Sequence, residues 1–147
     1  MDQLPALSWP DKPVESVVIV FDGGSKGNPG KGYGSYALEL DGVAYAPVPI
    51  EFPGNSTTNN EAEYDTLLRA LAWVHLAAQQ AGQSLGTLSV FVRGDSKLVI
   101  EQVRGKWKCN NDRLRPRRDR AQSLLKPFQQ ADVRWHGREY SVARLGH

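Results

Sequence analysis

Three carboxylates stand where the surrounding pattern calls for other residues. Asp22 closes the apolar run VVIVF (17–21) and opens the stretch FDGGSKGNPG (21–30), which holds four glycines. Glu63 falls on a helical stripe with Leu67, Leu71, Val74 and Ala78, and Asp95 follows LSVFV (88–92) through Arg93-Gly94. A carboxylate on a core-facing stripe is costly to desolvate unless a cation meets it. Sites on open α/β sheets gather beyond the carboxyl ends of strands, so the three acids can converge. Converging carboxylates raise one another's pKa unless a divalent cation holds them. Oxygen donors without His or Cys select Mg²⁺ or Mn²⁺ over Zn²⁺, and two such ions about 4 Å apart can activate a water and stabilise the leaving oxygen of a phosphodiester. Each acid alone has a plainer reading: Asp22 as a turn former, Glu63 as a capping-box partner, and Asp95 as a helix-start acid favoured by the dipole.

The elements that must position these acids follow from local pattern. Residues 1–14 carry three prolines and no periodicity, and read as a flexible N-terminal arm before a single domain over 15–147. VVIVF suits a strand covered on both faces, and GYGSYALELDGVAYAPVPI (32–50) suits two strands joined at Asp41-Gly42. A helix runs from Asn59 to about Gln80, capped by Thr58 or Asn59. After LSVFV, Ser96 can cap a helix that stops at Gly105. Residues 113–128 form another helix, opened near Pro116, with Leu114, Ala121, Leu125 and Phe128 inward. A last strand passes through Val133 and Trp135 and takes in His136; His75 is helical. The order βββαβααβ calls for a mixed sheet with helices on its faces.

The chain has 147 residues, 40% of them apolar and 23% charged, with no apolar run near membrane-spanning length. MDQLPALSWP lacks a basic region followed by an apolar stretch, and the lone Cys109 suits a reducing compartment, so a cytoplasmic monomer is expected. Residues 1–103 hold 6 Lys/Arg against 12 Asp/Glu, whereas residues 104–147 hold 12 against 4. Such asymmetry fits a polyanion on the basic half and a cation on the acidic half. The density is greatest in Arg104, Lys106, Lys108, Arg113, Arg115, Arg117, Arg118 and Arg120 around Trp107, which reads as a phosphate track with an aromatic to pack against a sugar.

FDGGSKGNPG with Asp22, TTNNEAEY with Glu63 and GDSKLVIEQVRGKW with Asp95, in this order and on these elements, closely resemble the type 1 ribonuclease H family from about Val17 to Glu139. The resemblance implies a ribonuclease H-like α/β fold with a five-stranded mixed sheet, order 3-2-1-4-5, flanked by helices. It implies hydrolysis of the RNA strand of RNA–DNA hybrids with two Mg²⁺ or Mn²⁺ ions per site, Asp22 bridging both and Glu63 and Asp95 on the leaving-group side. Glu61 falls where the family varies and reads as an exposed first-turn acid. Ser25, Gly27, Asn28, Asn59 and Asn60 supply the short polar side chains and close backbone that sensing 2′-OH groups requires. The same resemblance makes Thr58, Lys97, Trp107 and Arg115 nucleic-acid contacts, Thr58 and Trp107 towards the DNA strand.

The C-terminus departs from the family. Members usually carry R-E-x-N-x-x-A-D and then a helix, with that Asp as the fourth metal ligand. This chain reads GREYSVARLGH: Arg138-Glu139 fits, Ser141 replaces Asn, and about two residues, the Asp among them, are missing before Arg144. Asp132 precedes the last strand on the wrong side of the sheet, which leaves Glu139 and His147 as partial substitutes. Two alternatives therefore stay open: a weakened relative that binds hybrids, and another superfamily nuclease of integrase-like or junction-resolving type. Thr58, Asn59 and Asn60 favour hybrids.

Overall fold

The computed structural model describes residues 3–146. β1 (Ser16–Lys26) and β2 (Lys31–Leu40) pair antiparallel, and β2 carries both β3 (Val43–Ala44) and β4 (Val48–Glu51) on its outer side. The hairpin between β2 and β3 turns at Asp41 and Gly42, at φ 50° and 80°, the left-handed pair that the Asp-Gly signal demands. On the other side of β1 lie β5 (Ser89–Gly94) and then β6 (Gln130–Trp135), each parallel to its neighbour. The order is β3-β2-β1-β5-β6 with β4 beside β2, so the expected 3-2-1-4-5 sheet stands except that its third strand is split in two. Pro47 has no N–H for the ladder, and the Ala46 N–H turns away to Pro5 O at 2.8 Å.

Three helices cover one face: α1 (Asn59–Gln80), α2 (Lys97–Val103) and α3 (Arg115–Leu125). Val17, Ile19 and Phe21 of β1 pack there with Leu67, Leu71 and Val74 of α1, and Leu114, Ala121, Leu125 and Phe128 are buried in the same cluster. Burial of each such large side chain contributes roughly 1.5–3 kcal/mol. On the opposite face Val20 and Ala37 meet Leu145 of α4 (Arg138–Leu145), a helix beyond the last expected element. Gly146 ends it at φ +84°, and Arg144 Nη2 ties it to the sheet edge through Leu38 O at 2.9 Å and Tyr45 O at 2.7 Å. Leu7 and Trp9 pack against the main core, Trp9 with its ring centroid 6.1 Å from that of Trp73. No helix among the described residues is long and apolar enough to cross a membrane.

Thr58 caps α1, and the residue that closes its capping box is Glu61: Thr58 N donates to Glu61 Oε1 at 3.0 Å and Glu61 N to Thr58 Oγ1 at 3.2 Å. The expectation of an exposed Glu61 is therefore corrected. It is 2% exposed and paired with Arg113 at 2.9 Å and Arg117 at 3.3 Å, because α3 and the residues leading into it pack on the start of α1 and bring both guanidiniums onto it.

Burial pushes the Glu61 carboxyl up, but the Thr58 hydrogen bonds and the Arg117 and Arg113 charges outweigh it and hold the group below its ordinary value. Its stabilisation is present above the unfolded carboxylate pKa and is lost as pH falls through the lowered folded pKa. Glu61→Ala should cost about 2 kcal/mol in urea unfolding at pH 7 through the lost cap and ion pairs. Glu61→Gln should lessen the acid-induced loss; an unchanged acid limb would mean that the ion pairs carry no stability.

Candidate active site

β1, β5 and β6 run parallel, and their register sets Phe21 beside Gly94 and Gly94 beside Trp135. Asp22, the next residue of β1, and Asp95 and His136, the first residues beyond β5 and β6, follow that row at the carboxyl ends of the parallel strands. Glu63 comes from the first turns of α1. It reaches the strands because β1 and β2 carry glycines beneath the helix. A Cβ on Gly23 would lie 2.6 Å from Ala62 O and 2.9 Å from Glu63 N, and one on its cross-strand partner Gly34 would overlap Thr66 Oγ1. Gly23 N donates to Glu63 Oε1 at 3.0 Å. Asp22, Glu63 and Asp95 each offer an oxygen within 4.8 Å of the others.

Burial, then the hydrogen bond and charge of Asp22 and the charge of Asp95, push Glu63 well above the ordinary carboxylate range, against the Gly23 N–H. Asp95 is raised by burial and by Asp22, against Arg138, His136 and Ser141. Glu63 Oε2 and Asp95 Oδ2 are buried without a hydrogen bond, and the nearest cation to the latter is Arg138 Nη1 at 3.7 Å. An all-oxygen donor set, crowded, buried and partly without hydrogen bonds, fits a hard divalent cation.

Among the described residues this cluster holds three carboxylates. Glu139 is exposed and turns its carboxylate over Gly137, Asp132 pairs with Arg93 and Arg134 nearer the opposite end of β6, and His147 lies outside the described residues. His136 sits one residue beyond β6 rather than inside it, its N–H still bonded to Gly94 O at 3.0 Å. Its Nε2 is 2.7 Å from Ser141 Oγ, and Ser141, 1% exposed, is the α4 residue whose hydroxyl works against the rise of the Asp95 pKa. The exchange of Asn for Ser at 141 was visible in the sequence, but its position against Asp95 was not.

The polar candidates gather next to the acids. Asn59 Oδ1 accepts from Ser25 N at 2.8 Å, and Asn59 N donates to Asn28 Oδ1 at 3.0 Å, so α1 and the β1–β2 turn are locked together. Gly27 makes that turn at φ +86°, and Gly27, Asn28, Asn59 and Asn60 are exposed. Asn28, Thr58, Asn60, Asn111 and Arg113 line a recess of about 260 Å³. Lys97 opens α2, and Trp107 is 43% exposed, outside the core.

The basic stretch divides. Arg113 and Arg117 brace α3 on Glu61 and Asp65, and Arg115 is held by Cys109 O, Asn110 O and Asp112. Lys106 and Lys108 lie exposed beside Trp107 and take no part in these pairs. The track expected from charge density alone is thus narrower, because several arginines hold the fold.

Fold and site together define an α/β protein with a cluster of three carboxylates that could hold a metal ion at the carboxyl end of its central strands. The family described as "Reverse transcriptase-like" matches residues 21–143. Ribonuclease HI of Halobacterium salinarum is 37% identical over 108 residues, 74% of this chain and 50% of the relative, and ribonuclease H of Afipia carboxidovorans is 30% identical over 133 residues, 88% and 83% respectively. The crystal structure of RNase H1 from Halobacterium salinarum matches with TM-score 0.72 at 35% identity, over 88% of this chain and 90% of that one. LC11-RNase H1 in complex with an RNA/DNA hybrid matches with TM-score 0.74 at 25% identity, over 87% and 90%. The chain belongs to the ribonuclease H family. It spans about half the length of the halobacterial protein.

Two outcomes test the geometry without reference to turnover. Gly23→Ala should push the start of α1 off the sheet and weaken Mn²⁺ binding, measured by calorimetry, by roughly tenfold or more; unchanged affinity would mean that the close approach is not what places Glu63. Glu63 has a raised folded pKa, so its contribution is fully present below the unfolded value and is lost as pH rises through the folded one. Glu63→Gln should therefore melt higher than the parent at pH 7 without divalent cations, the gap closing near pH 4. A gap independent of pH would refute the raised pKa.

Proposed function

We propose that this chain is an endoribonuclease that hydrolyses the RNA strand of RNA–DNA hybrids. The observation that carries the reading is the convergence of Asp22, Glu63 and Asp95 within 4.8 Å, with buried oxygens on Glu63 and Asp95 that no hydrogen bond satisfies. The three carboxylates would hold two Mg²⁺ or Mn²⁺ ions, which when bound supply an activated water and neutralise the leaving oxygen. Gly23 N–H orients Glu63, and the Ser141 hydroxyl favours the charged form of Asp95. Ser25, Gly27, Asn28, Asn59 and Asn60 face the minor groove and its 2′-OH groups. Thr58, Lys106, Trp107 and Lys108 meet the DNA strand, Lys97 is a further nucleic-acid contact, and Arg115 contributes through the loop it holds. A buried lone Cys109 suits a monomer in the reducing cytoplasm.

A second reading, hybrid binding with slow cleavage, is favoured by what lies beside Asp95: Ser141 and Arg138 in place of a fourth carboxylate. Mg²⁺ demands near-ideal octahedral geometry, so an incomplete ligand set favours Mn²⁺ or high Mg²⁺.

In a gel assay on labelled hybrid, duplex DNA and duplex RNA, only the hybrid should be cut. Asp22→Asn should abolish cleavage while hybrid binding survives or tightens, because a carboxylate that repels phosphate is gone. Near-normal turnover in Asp22→Asn would overturn the site. Ser141→Asp should lower the Mg²⁺ concentration needed for half-maximal cleavage by roughly tenfold. No shift would mean that a fourth carboxylate beside Asp95 adds nothing here.

A further inference from the structure

Trp135 ends β6 with 49% of its surface exposed, although its Nε1–H donates to the main-chain oxygen of Asp95 at 3.1 Å. Lys97, in the first turn of α2, places Nζ 5.8 Å from the ring centroid. Arg138, its side chain 70% exposed, stands on the other flank of Asp95. An indole fixed in place, half in water and flanked by the Lys97 ammonium, is the surface that a sugar and its phosphates fit.

The geometry points to Trp135 and Lys97 as a subsite for the strand being cut: the indole packs against the ribose of the nucleotide next to the scissile phosphate, and the Lys97 ammonium meets the phosphate that flanks it. This rests on the reading of Asp22, Glu63 and Asp95 as the place of hydrolysis. The strand assignment comes from connectivity. The indole is bonded to the main chain of Asp95, so a strand that sets a phosphate against that carboxylate has its neighbouring nucleotide, about 3.4 Å further along the helix axis, over the indole. Trp107 lies four residues beyond the far end of α2, whose axis spans about 9 Å from Lys97 to Val103, and is left for the other strand. Lys97 beside the indole and Arg138 beside Asp95 offset the repulsion between the carboxylates and the backbone they receive.

The test is fluorescence anisotropy with a dye-labelled RNA–DNA hybrid in the Asp22→Asn protein, repeated over a range of salt. Trp135→Ala should weaken binding roughly tenfold without changing the salt slope. Trp135→Phe, which keeps a ring and loses the indole donor, should stay within about threefold of its parent. Lys97→Gln should reduce the slope of log K against log salt by about one phosphate. Crosslinking through a 5-iodopyrimidine should attach Trp135 to the RNA strand. The proposal is overturned if Phe costs as much as Ala, which would make the indole only a tether for Asp95, if Lys97→Gln leaves the slope unchanged, or if crosslinks form only with DNA. Should Trp135→Ala fail to fold, the Phe and Lys97 variants still decide. Cleavage by Asp22→Asn itself would refute the underlying reading instead.

Discussion

The close approach of α1 to β1 and β2 is the constraint on which the rest depends. Gly23 and Gly34 sit opposite each other across the two central strands, and neither has a positive φ; they are glycines because a Cβ would collide with Ala62 O or Thr66 Oγ1. With that space open, the first turns of the helix rest on the strands and Glu63 accepts from Gly23 N–H. Gly94 does the same for the aromatic packing beneath, where an added Cβ would lie 2.7 Å from the Phe21 ring. Any side chain at these points would lift an element and separate the acids.

Two glutamates two residues apart on α1 show how placement decides the fate of a buried charge. Glu61 is met by the Thr58 cap, by Arg113 just before α3 and by Arg117 on it, so its carboxylate is stabilised as the anion. Glu63 points to the strands, meets two more acids, and is driven towards its protonated form. The first arrangement holds α3 on α1; the second is an unfavourable interaction that a divalent cation would relieve. Like-charge crowding of this kind costs stability and persists where the surrounding core can carry it. Here the core is the continuous apolar layer between α1 and the sheet.

The same economy governs the basic half of the chain. Charge counting along 104–120 reads as a polyanion track, but a guanidinium can be taken up by carbonyls and carboxylates within the fold as readily as by phosphate. Arg113, Arg115 and Arg117 are held in that way, while exposed Lys106, Trp107 and Lys108 face outward. The cationic surface next to the acids comes instead from Lys97 and Arg138, which belong to different helices.

The sequence by itself determined the elements and the three acids. Strand runs, the Asp41-Gly42 turn, the Thr58 and Ser96 caps and the 3.6-residue stripe through Leu67, Leu71 and Val74 are local signals, and each arises from interactions within a few residues. The oddity of a carboxylate on that stripe was legible for the same reason. Tertiary structure alone decided what those acids meet. Parallel register set Asp22, Asp95 and His136 in one row, α3 buried Glu61, and α4 formed and turned Ser141 towards Asp95. The split of the third strand likewise depended on Pro5, forty-one residues before the Ala46 that it binds. Contacts of this range leave no periodicity in the chain, because they are fixed by how the sheet twists and packs and not by the spacing of residue types.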